Sequence, residues 1–252
     1  MDKISIILAA GMGKRMRSDL PKVIHTIHSK PMVKYVINAA ELAGVKKHIL
    51  VVGHKKELVE EALAGEDYLY AVQREQKGTG HAVQCVSQVV NDNDRDQLAL
   101  ILCGDTPCLR AETLHLFLKH YENSKLDLLV LSTPVKDPSG YGRILRDSKN
   151  RFISIREHKD CNDQELQVNE INTGIYAGRL GLFLELLQDV KDENEQAEFY
   201  LTDIAEIAKQ RGLAIEARCL GTENEFLGVN SPAQLELARN ILTQRKDSTD
   251  YF

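Results

Sequence analysis

Short, mostly apolar runs alternate with amphipathic segments through the first half of the chain. Between the runs, apolar residues recur at helical spacing, most clearly at Val33, Val36, Ile37 and Ala40. Runs of four to six residues bounded by such segments are typical of strands that are covered on both faces of a parallel sheet. The alternation therefore predicts an α/β, doubly wound sheet. The predicted strands are residues 4–8, 48–52, 69–72, 98–102 and 126–131.

The pattern changes after about residue 134. Two strand-like segments, 142–146 and 152–156, flank the polar turn Asp147-Ser148-Lys149-Asn150, and this arrangement predicts a β-hairpin. Residues 172–177 and 213–218 predict two more strands. A helical face lies between them, at Leu201, Ile204, Ala205 and Ala208.

The last helix has a clear predicted start. Ser231 and Gln234 form a capping box around Pro232 at the first helical position, and the helix is expected to run to about residue 244. We therefore predict one domain over residues 1–244 with an inserted hairpin. A flexible polar tail is predicted over residues 245–252.

Composition excludes several classes of protein. The 252 residues carry 32 Lys and Arg against 37 Asp and Glu, a net charge of −5, which does not favour binding along nucleic acid. No apolar run approaches the roughly 20 residues of a membrane helix, and the first run precedes its basic residues, unlike a signal peptide. The five cysteines lack zinc-type spacing. We expect a cytoplasmic protein with reduced thiols and with no nucleic-acid or membrane partner.

A glycine-bearing, basic loop follows the first predicted strand. In open α/β sheets, ligands bind beyond the carboxyl ends of the strands. Gly11 and Gly13 expose backbone N–H groups there, and Arg15 and Lys22 add positive charge, which suits a polyphosphate. A tight turn with solvated basic residues is the alternative. Met16 occupies the third glycine position of a dinucleotide fingerprint, and the Gly-Lys-Ser/Thr of a P-loop is missing.

Two oxygen donors are candidates for a metal site. Asp105 directly follows the predicted strand 98–102, where a carboxylate is well placed to hold Mg²⁺ beside a bound phosphate. It is equally suited to cap the turn before Pro107. Asn230, ahead of the last helix, offers an amide oxygen to the same metal, although by itself it would be a turn residue.

The loop after the third predicted strand is polar and bounded by glycine. The Gln73 amide and the backbone at Gly78 are suited to contact the edge of a nucleobase. The alternative for Thr79 is a helix N-cap, and both roles are compatible. His81 is interpreted as an ordinary surface or hydrogen-bonded histidine.

Three later loops carry small polar clusters. They are Gly140-Tyr141-Gly142-Arg143, Glu157-His158-Lys159-Asp160 and Glu170-Ile171-Asn172-Thr173-Gly174. Neutral donors with a carboxylate suit the hydroxyls and amide of a sugar. Taken singly, each cluster also fits ordinary turn chemistry.

Taken in order over about residues 4–235, these segments resemble the uridylyltransferase part of bacterial N-acetylglucosamine-1-phosphate uridylyltransferases. The glycine loop alone would indicate only the wider sugar-nucleotide pyrophosphorylase superfamily, and the later segments narrow the resemblance to the uridylyltransferases. The matching segments are Leu8-Ala9-Ala10-Gly11-x-Gly13-x-Arg15-Met16, Pro21-Lys22, Gln73, Gly78-Thr79-Gly80-His81-Ala82, Gly104-Asp105, the three later loops, Tyr200-Leu201-Thr202-Asp203 and Gly228-Val229-Asn230.

The resemblance implies a Rossmann-like, mixed and mainly parallel sheet of the glycosyltransferase-A-like nucleotidyltransferase fold. It implies that UTP and N-acetylglucosamine 1-phosphate give UDP-N-acetylglucosamine and pyrophosphate with Mg²⁺. Arg15 and Lys22 would be catalytic, and Asp105 and Asn230 would bind the metal. The nucleotide would contact Leu8, Ala9, Ala10, Gly11, Lys22, Gln73, Gly78 and Thr79, and the sugar phosphate Cys103, Gly104, Gly142, Glu157, Asn172 and Asn230.

The chain departs from the family in two respects. Cys103 stands where the family commonly has Tyr, which leaves the fine specificity for sugar or base open. The chain also has no hexapeptide repeats, so no acetyl-CoA activity is expected. The oligomeric state stays open. The alternatives are a nucleotidyltransferase of other specificity and a catalytically idle UDP-sugar sensor, which would not need Arg15, Lys22, Asp105 and Asn230 together.

Overall fold

Strands and helices alternate along residues 2–11 and 13–249, the part of the chain that the structure, a computed structural model, describes. The strands are β1 (Lys3–Leu8), β2 (Thr26–Ile27), β3 (Lys30–Pro31), β4 (Lys47–Val52), β5 (Leu69–Val72), β6 (Leu98–Cys103), β7 (Leu128–Pro134), β8 (Arg143–Arg146), β9 (Phe152–Arg156), β10 (Glu170–Arg179) and β11 (Ile215–Cys219). The helices are α1 (Met32–Leu42), α2 (Lys56–Ala62), α3 (Thr79–Gln84), α4 (Ala111–Glu122), α5 (Asp163–Leu166), α6 (Leu180–Leu186), α7 (Asp203–Gln210) and α8 (Pro232–Thr249).

One mixed sheet organises the molecule, with the strand order β11-β7-β10-β6-β1-β4-β5. β1 pairs in parallel with β4 and β6, whereas β10 runs antiparallel to both β6 and β7. The hairpin β8-β9 joins the sheet through β8, which pairs with β10. The predicted fold class, a mixed and mainly parallel sheet with a hairpin insertion, is confirmed.

Successive side chains along each strand point to opposite faces of the sheet, and apolar residues cover both faces. In β1, Ile4 and Ile6 point into one core and Ile7 into the other, and all three are fully buried. Phe183 of α6 covers the first face, and Phe117 of α4 covers the second. Burial on both faces explains why the strand runs are almost continuously apolar.

Helix α6 was not predicted from the sequence. Leu180, Phe183 and Leu186 are fully buried, and Leu182 is partly buried. Glu185 is the one charged residue of this helix, so the segment lacks the broad polar face that marks an amphipathic helix. β7 begins at Leu128 rather than at residue 126 because its pairing with β11 starts there. It continues through Ser132 and Thr133, which are polar but fully buried, a combination that hydropathy does not predict.

The helical ends also differ from expectation. Helix α3 ends at Gln84, and beyond it the Gln88 side chain exchanges two hydrogen bonds of 3.0 Å with the backbone of Val72 in edge strand β5. α8 continues past residue 244 to Thr249, and the guanidinium of Arg245 donates to the carbonyl of Cys108. Residues 250–252 of the predicted tail lie outside the described residues. No helix in the described ranges is long and apolar enough to span a membrane.

Arg146 ties the hairpin to the sheet. Its Nε and Nη2 atoms donate to the two carboxylate oxygens of Glu170 at 2.7 and 2.6 Å, and Nη2 also donates to the carbonyl of Ala217 at 2.8 Å. Burial alone would raise the pKa of Glu170, but the hydrogen bonds from Arg146 and Ser132 outweigh it, so the pKa is lowered. Strands β8, β10 and β11 therefore meet at one ion pair whose side chains are only 18% exposed.

Replacing Arg146 with Ala is expected to lower the free energy of unfolding by about 2 kcal/mol, because a largely buried carboxylate loses its partner. Urea unfolding followed by circular dichroism measures the change. The matched control is Arg151→Ala, which removes a 73% exposed arginine from the same hairpin and should change stability by less than about 0.5 kcal/mol. Equal losses in the two variants would contradict the assigned role of Arg146.

Candidate functional site

The predicted site residues come together at one edge of the sheet. β1 and β6 are parallel, and Leu8 at the end of β1 pairs with Cys103 at the end of β6. The loops that follow the two strands therefore start side by side. β10 is antiparallel, and its first half therefore lies at the same edge. The turn before α8 joins them because the N–H of Val229 donates to the carbonyl of Asp105 at 2.9 Å. Segments far apart in sequence thus form a single site.

Lys22 connects the two candidate metal ligands. Its Nζ donates to Oδ2 of Asp105 and, at 2.8 Å, to Oδ1 of Asn230. The Lys22 and Asp105 side chains are 13% and 19% exposed. Gly13 makes this approach possible, since a Cβ there would lie 2.8 Å from the Cβ of Lys22. The two predicted donors therefore converge on one cation.

The same pair of oxygens fits Mg²⁺. Carboxylate and amide oxygens are hard ligands, and Mg²⁺ is usually held by one or two protein carboxylates together with water and substrate phosphates. Among the described residues, no group of three His, Cys, Asp or Glu side chains is suited to hold a metal. The donors at Asp105 and Asn230 thus fit a metal that is shared with a phosphate ligand, not a metal enclosed by protein alone.

Two adjoining cavities form the site. The first, here called the glycine-loop cavity, has a volume of about 270 Å³. The second, the hairpin cavity, has a volume of about 370 Å³. Both are lined by Leu8, Thr79, Cys103 and Asp105, so they form one continuous cleft with Asp105 at the junction.

The predicted residues fall into two groups, one in each cavity of the cleft. Most of the predicted nucleotide residues line the glycine-loop cavity, and Arg15 lines the hairpin cavity together with most of the predicted sugar-phosphate residues. The first group is Leu8, Ala10, Gly11, Lys22, Gln73, Gly78 and Thr79, and the second is Cys103, Gly142, Glu157, Asn172 and Asn230.

Ala9 and Gly104 line neither cavity. Ala9 is 3% exposed, and its N–H donates to the carbonyl of Val51 at 2.8 Å. Gly104 lies against β1, where a Cβ would approach the carbonyl oxygen of Leu8 to 2.9 Å. Both residues support the floor of the site by close packing, and their predicted ligand contacts stay predictions.

Gln73 is held by its own loop. The side chain is 3% exposed, and its Nε2 donates to the carbonyl of Gly78 at 3.0 Å and lies 3.2 Å from Nδ1 of His81. Gly78 has a φ of 105°, and a Cβ there would lie 2.6 Å from the carbonyl oxygen of Phe199. Only glycine fits this position, which keeps the Gln73 amide at the wall of the glycine-loop cavity.

The hairpin cavity presents further polar groups. Thr202 donates from Oγ1 to Oε1 of Glu157 at 3.0 Å, and Nδ2 of Asn172 donates to the hydroxyl of Tyr176 at 2.8 Å. Thr202 belongs to the matching segment Tyr200-Leu201-Thr202-Asp203, to which no role was assigned from the sequence. The one signal for Thr202 was its place in that segment, and Tyr176 had none because it lies inside a strand.

Arg143 holds the loop over this cavity. Although it is only 1% exposed, it donates to the carbonyls of Pro138, at 2.6 Å, and Tyr141, and it lies 3.3 Å from Nδ1 of His158. The backbone that leads to Gly142 is therefore fixed by a buried guanidinium.

Two acidic groups in and next to the hairpin cavity have raised pKa values. Burial raises the pKa of Glu157, and the hydrogen bond from Thr202 only partly offsets this. Burial, followed by the negative charge of Glu157, raises the pKa of Asp203 to about 6. Burial also raises the pKa of Cys103 to about 12, so this residue is a neutral thiol at the junction of the two cavities.

A larger cavity, of about 940 Å³, lies elsewhere, between the hairpin and β11. Its lining includes Arg146 and Glu170, which are paired with each other, and Arg151 and Asp147, which form a second pair. Glu170 is the only residue of the matched loops that it contains. The cleft around Asp105 therefore remains the better candidate site.

Comparison with known proteins finds relatives that match almost the whole chain. A family model described as Nucleotidyl transferase matches residues 4–220. A protein named Bifunctional protein GlmU, from Caldanaerobacter subterraneus subsp. tengcongensis, is 42% identical over 242 residues, which cover 96% of this chain and 52% of the relative. A protein of the same name from Clostridium botulinum (strain Eklund 17B / Type B) is 44% identical over 246 residues, which cover 97% and 53%. The chain spans about half the length of these curated relatives.

The fold has a close counterpart among solved structures. UDP-glucose pyrophosphorylase complexed with UDP-glucose matches with a TM-score of 0.79 and 20% sequence identity, covering 97% of this chain and 100% of the other. At this identity the likeness shows the fold alone, and it confirms the predicted fold class.

The raised pKa of Asp203 predicts a pH-dependent stability. Because the pKa is about 6 in the folded state against an ordinary 3.8, ionisation favours unfolding, and the wild type loses stability as the pH rises through this window. Asp203→Asn removes the effect, so its stability relative to wild type should increase by on the order of 1 kcal/mol between about pH 4 and pH 7. Denaturant unfolding at several pH values measures this.

The matched control for this prediction is Asp163→Asn, which replaces an exposed acid in the first turn of α5. Because Asp163 is exposed, the stability difference between this variant and wild type should change much less with pH than the difference for Asp203→Asn. Equal changes with pH in the two variants would contradict the raised pKa of Asp203.

Proposed function

We propose that this chain, which belongs to the nucleotidyl transferase family, transfers a uridylyl group to N-acetylglucosamine 1-phosphate. The products are UDP-N-acetylglucosamine and pyrophosphate. The observation that carries the proposal is the convergence of Asp105, Asn230 and Lys22 where the two cavities meet. The ordered resemblance over residues 4–235 and the relatives at 42 and 44% identity support it.

The reaction joins two anions. An oxygen of the sugar phosphate attacks the α-phosphorus of UTP in line, the new O–P bond forms, and the bond to the leaving pyrophosphate breaks. The attacking phosphate is already ionised at neutral pH, so no general base is needed. Positioning and charge neutralisation are then the main tasks of the protein.

The two cations approach the reaction from different cavities. Lys22 lines the glycine-loop cavity and Arg15 the hairpin cavity, so each is placed to contact the phosphates of a different substrate. Asp105 and Asn230 would hold Mg²⁺, which when bound neutralises phosphate charge as a Lewis acid. The ammonium of Lys22, which bridges these two oxygens in the structure, would then bind the phosphates, where charge-assisted hydrogen bonds are strong.

The remaining groups bind the two substrates. In the glycine-loop cavity, the backbone of Leu8 to Gly11 and the amide of Gln73 bind the nucleoside. In the hairpin cavity, Glu157 accepts from sugar hydroxyls, and Asn172 binds the sugar at its hydroxyls or amide. Two cavities of 270 and 370 Å³ suit a nucleoside and a hexose side by side.

The second candidate function is that of a related nucleotidyltransferase with another substrate specificity, and Cys103 favours it. This small, neutral thiol lies at the junction of the cavities, where the resembling family commonly has a bulkier Tyr. The experiment is pyrophosphate release from UTP, dTTP, CTP and GTP with three sugar phosphates, in the presence and absence of Mg²⁺. N-acetylglucosamine 1-phosphate with UTP should be the best pair, ahead of glucose 1-phosphate and glucosamine 1-phosphate. Tight UDP-sugar binding without pyrophosphate release would instead indicate a sensor.

Arg15→Ala is expected to lower the turnover number about 100-fold in this assay without unfolding the protein, because a charge contact to the reacting phosphates is lost. Arg17→Ala is the matched control, since Arg17 is an exposed arginine of the same segment and lines neither cavity. Near-normal turnover in Arg15→Ala at saturating substrates and Mg²⁺ would contradict the role proposed for Arg15.

Lys22→Met is expected to tighten divalent-metal binding several-fold in the absence of substrates, because the ammonium competes for the oxygens of Asp105 and Asn230. Calorimetric titration with Mn²⁺ or Mg²⁺ measures this. Arg15→Met is the control, since it removes a positive charge from the same cleft without contacting either oxygen. Equal effects in both variants, or none in Lys22→Met, would exclude direct competition, and Asp105→Ala should weaken binding.

A further inference from the structure

We propose that His81 is a positioning residue that orients the amide of Gln73 and thereby makes the site select uracil over cytosine. The inference rests on the proposed function only in taking the ligand of the glycine-loop cavity to be a pyrimidine nucleotide. His81 is absent from the predicted site residues, and it does not line the cleft.

The orientation of the Gln73 amide follows from its partner in the loop. The carbonyl oxygen of Gly78 lies 3.0 Å from one terminal atom of the side chain and can only accept a hydrogen bond. That terminal atom must therefore be the amide nitrogen. Gly78 is itself fixed, because its backbone is packed against Phe199.

The second proton of the amide determines the state of His81. Nδ1 of His81 lies 3.2 Å from the same nitrogen, which has only protons to offer. Nδ1 must therefore present its lone pair, which places the ring proton on Nε2. Nε2 points away from Gln73, 3.9 Å from the thiol of Cys85, beside an outer cavity lined by Arg74 and Lys77.

With both amide protons used, Gln73 presents an acceptor to the cleft. Within the described residues no hydrogen bond reaches Oε1, and Gln73 lines the glycine-loop cavity. Uracil carries an N–H donor at ring position 3, whereas cytosine carries a lone pair there. An acceptor at this wall pairs with uracil and repels cytosine, so the amide orientation determines the selectivity.

Without an acceptor at the position of Nδ1, the amide loses one of its two orienting hydrogen bonds. Its nitrogen is then left with an unpaired proton, and the energy difference between the two flipped orientations becomes smaller. The flipped amide would present a donor that cytosine accepts. Discrimination against cytosine should therefore decrease, while the rest of the cleft is unchanged.

Two variants separate this role from packing. Asn has an amide oxygen near the position of Nδ1 and retains the acceptor, whereas Phe retains the ring shape and loses it. We expect His81→Phe to reduce the ratio of kcat/KM for UTP over CTP about tenfold. His81→Asn should restore the ratio to within about twofold of wild type, and thermal unfolding should show that both variants are folded.

Two further measurements distinguish a failure of the role proposed for His81 from a failure of the proposed function. Calorimetric binding of UDP and CDP to each variant reports base selectivity without catalysis, and ¹⁵N NMR of the imidazole reports which nitrogen carries the proton. If wild type selects UDP over CDP and His81→Phe leaves that ratio unchanged, or if Nδ1 carries the proton, the role of His81 is wrong. If wild type neither selects uracil nucleotides nor releases pyrophosphate, the proposed function itself is wrong.

Discussion

The contact on which the site depends is the shared hydrogen bonding of Lys22 to the carboxylate of Asp105 and the amide oxygen of Asn230. These oxygens come from the end of β6 and the turn before α8. They meet only because the N–H of Val229 donates a hydrogen bond to the carbonyl of Asp105 and because the ends of β1 and β6 are paired side by side. Two oxygen donors on one cation are also what a metal shared with a phosphate requires. The strand order, the glycine loop and the last helix therefore all contribute to one charged centre at the junction of two cavities.

Much of the fold follows from the sequence, because strands buried on both faces have almost continuous apolar runs. β1, β4 and β6 were predicted in this way to within a residue at each end. The prediction was weaker where the environment, and not the local pattern, determines the structure. Helix α6 has one charged residue among seven, so its sequence has no amphipathic pattern. Ser132 and Thr133 are polar residues inside a buried strand. The extension of α8 depends on a contact between Arg245 and Cys108 that only the tertiary structure provides.

The candidate site was predictable to the extent that its residues follow strand ends. Gly11, Asp105 and Gln73 are of this kind, and Asp105 and Gln73 could be suggested from position and chemistry alone. Ala9 and Gly104 belong to the same segments, but close packing places them below the cleft. Residues that act through others carry no signal along the chain. His81 contacts Gln73 across a loop and Arg143 organises backbone carbonyls, so both emerge only when distances are known.

The most direct test of this account is a crystal structure with Mn²⁺ and UTP, in which the metal is located by its anomalous scattering. We expect the metal roughly 2.1 Å from oxygens of both Asp105 and Asn230, a distance typical of Mg²⁺ sites, with Lys22 moved onto the phosphates. A metal bound away from these two residues, with Lys22 still bridging them and UTP present, would contradict the account.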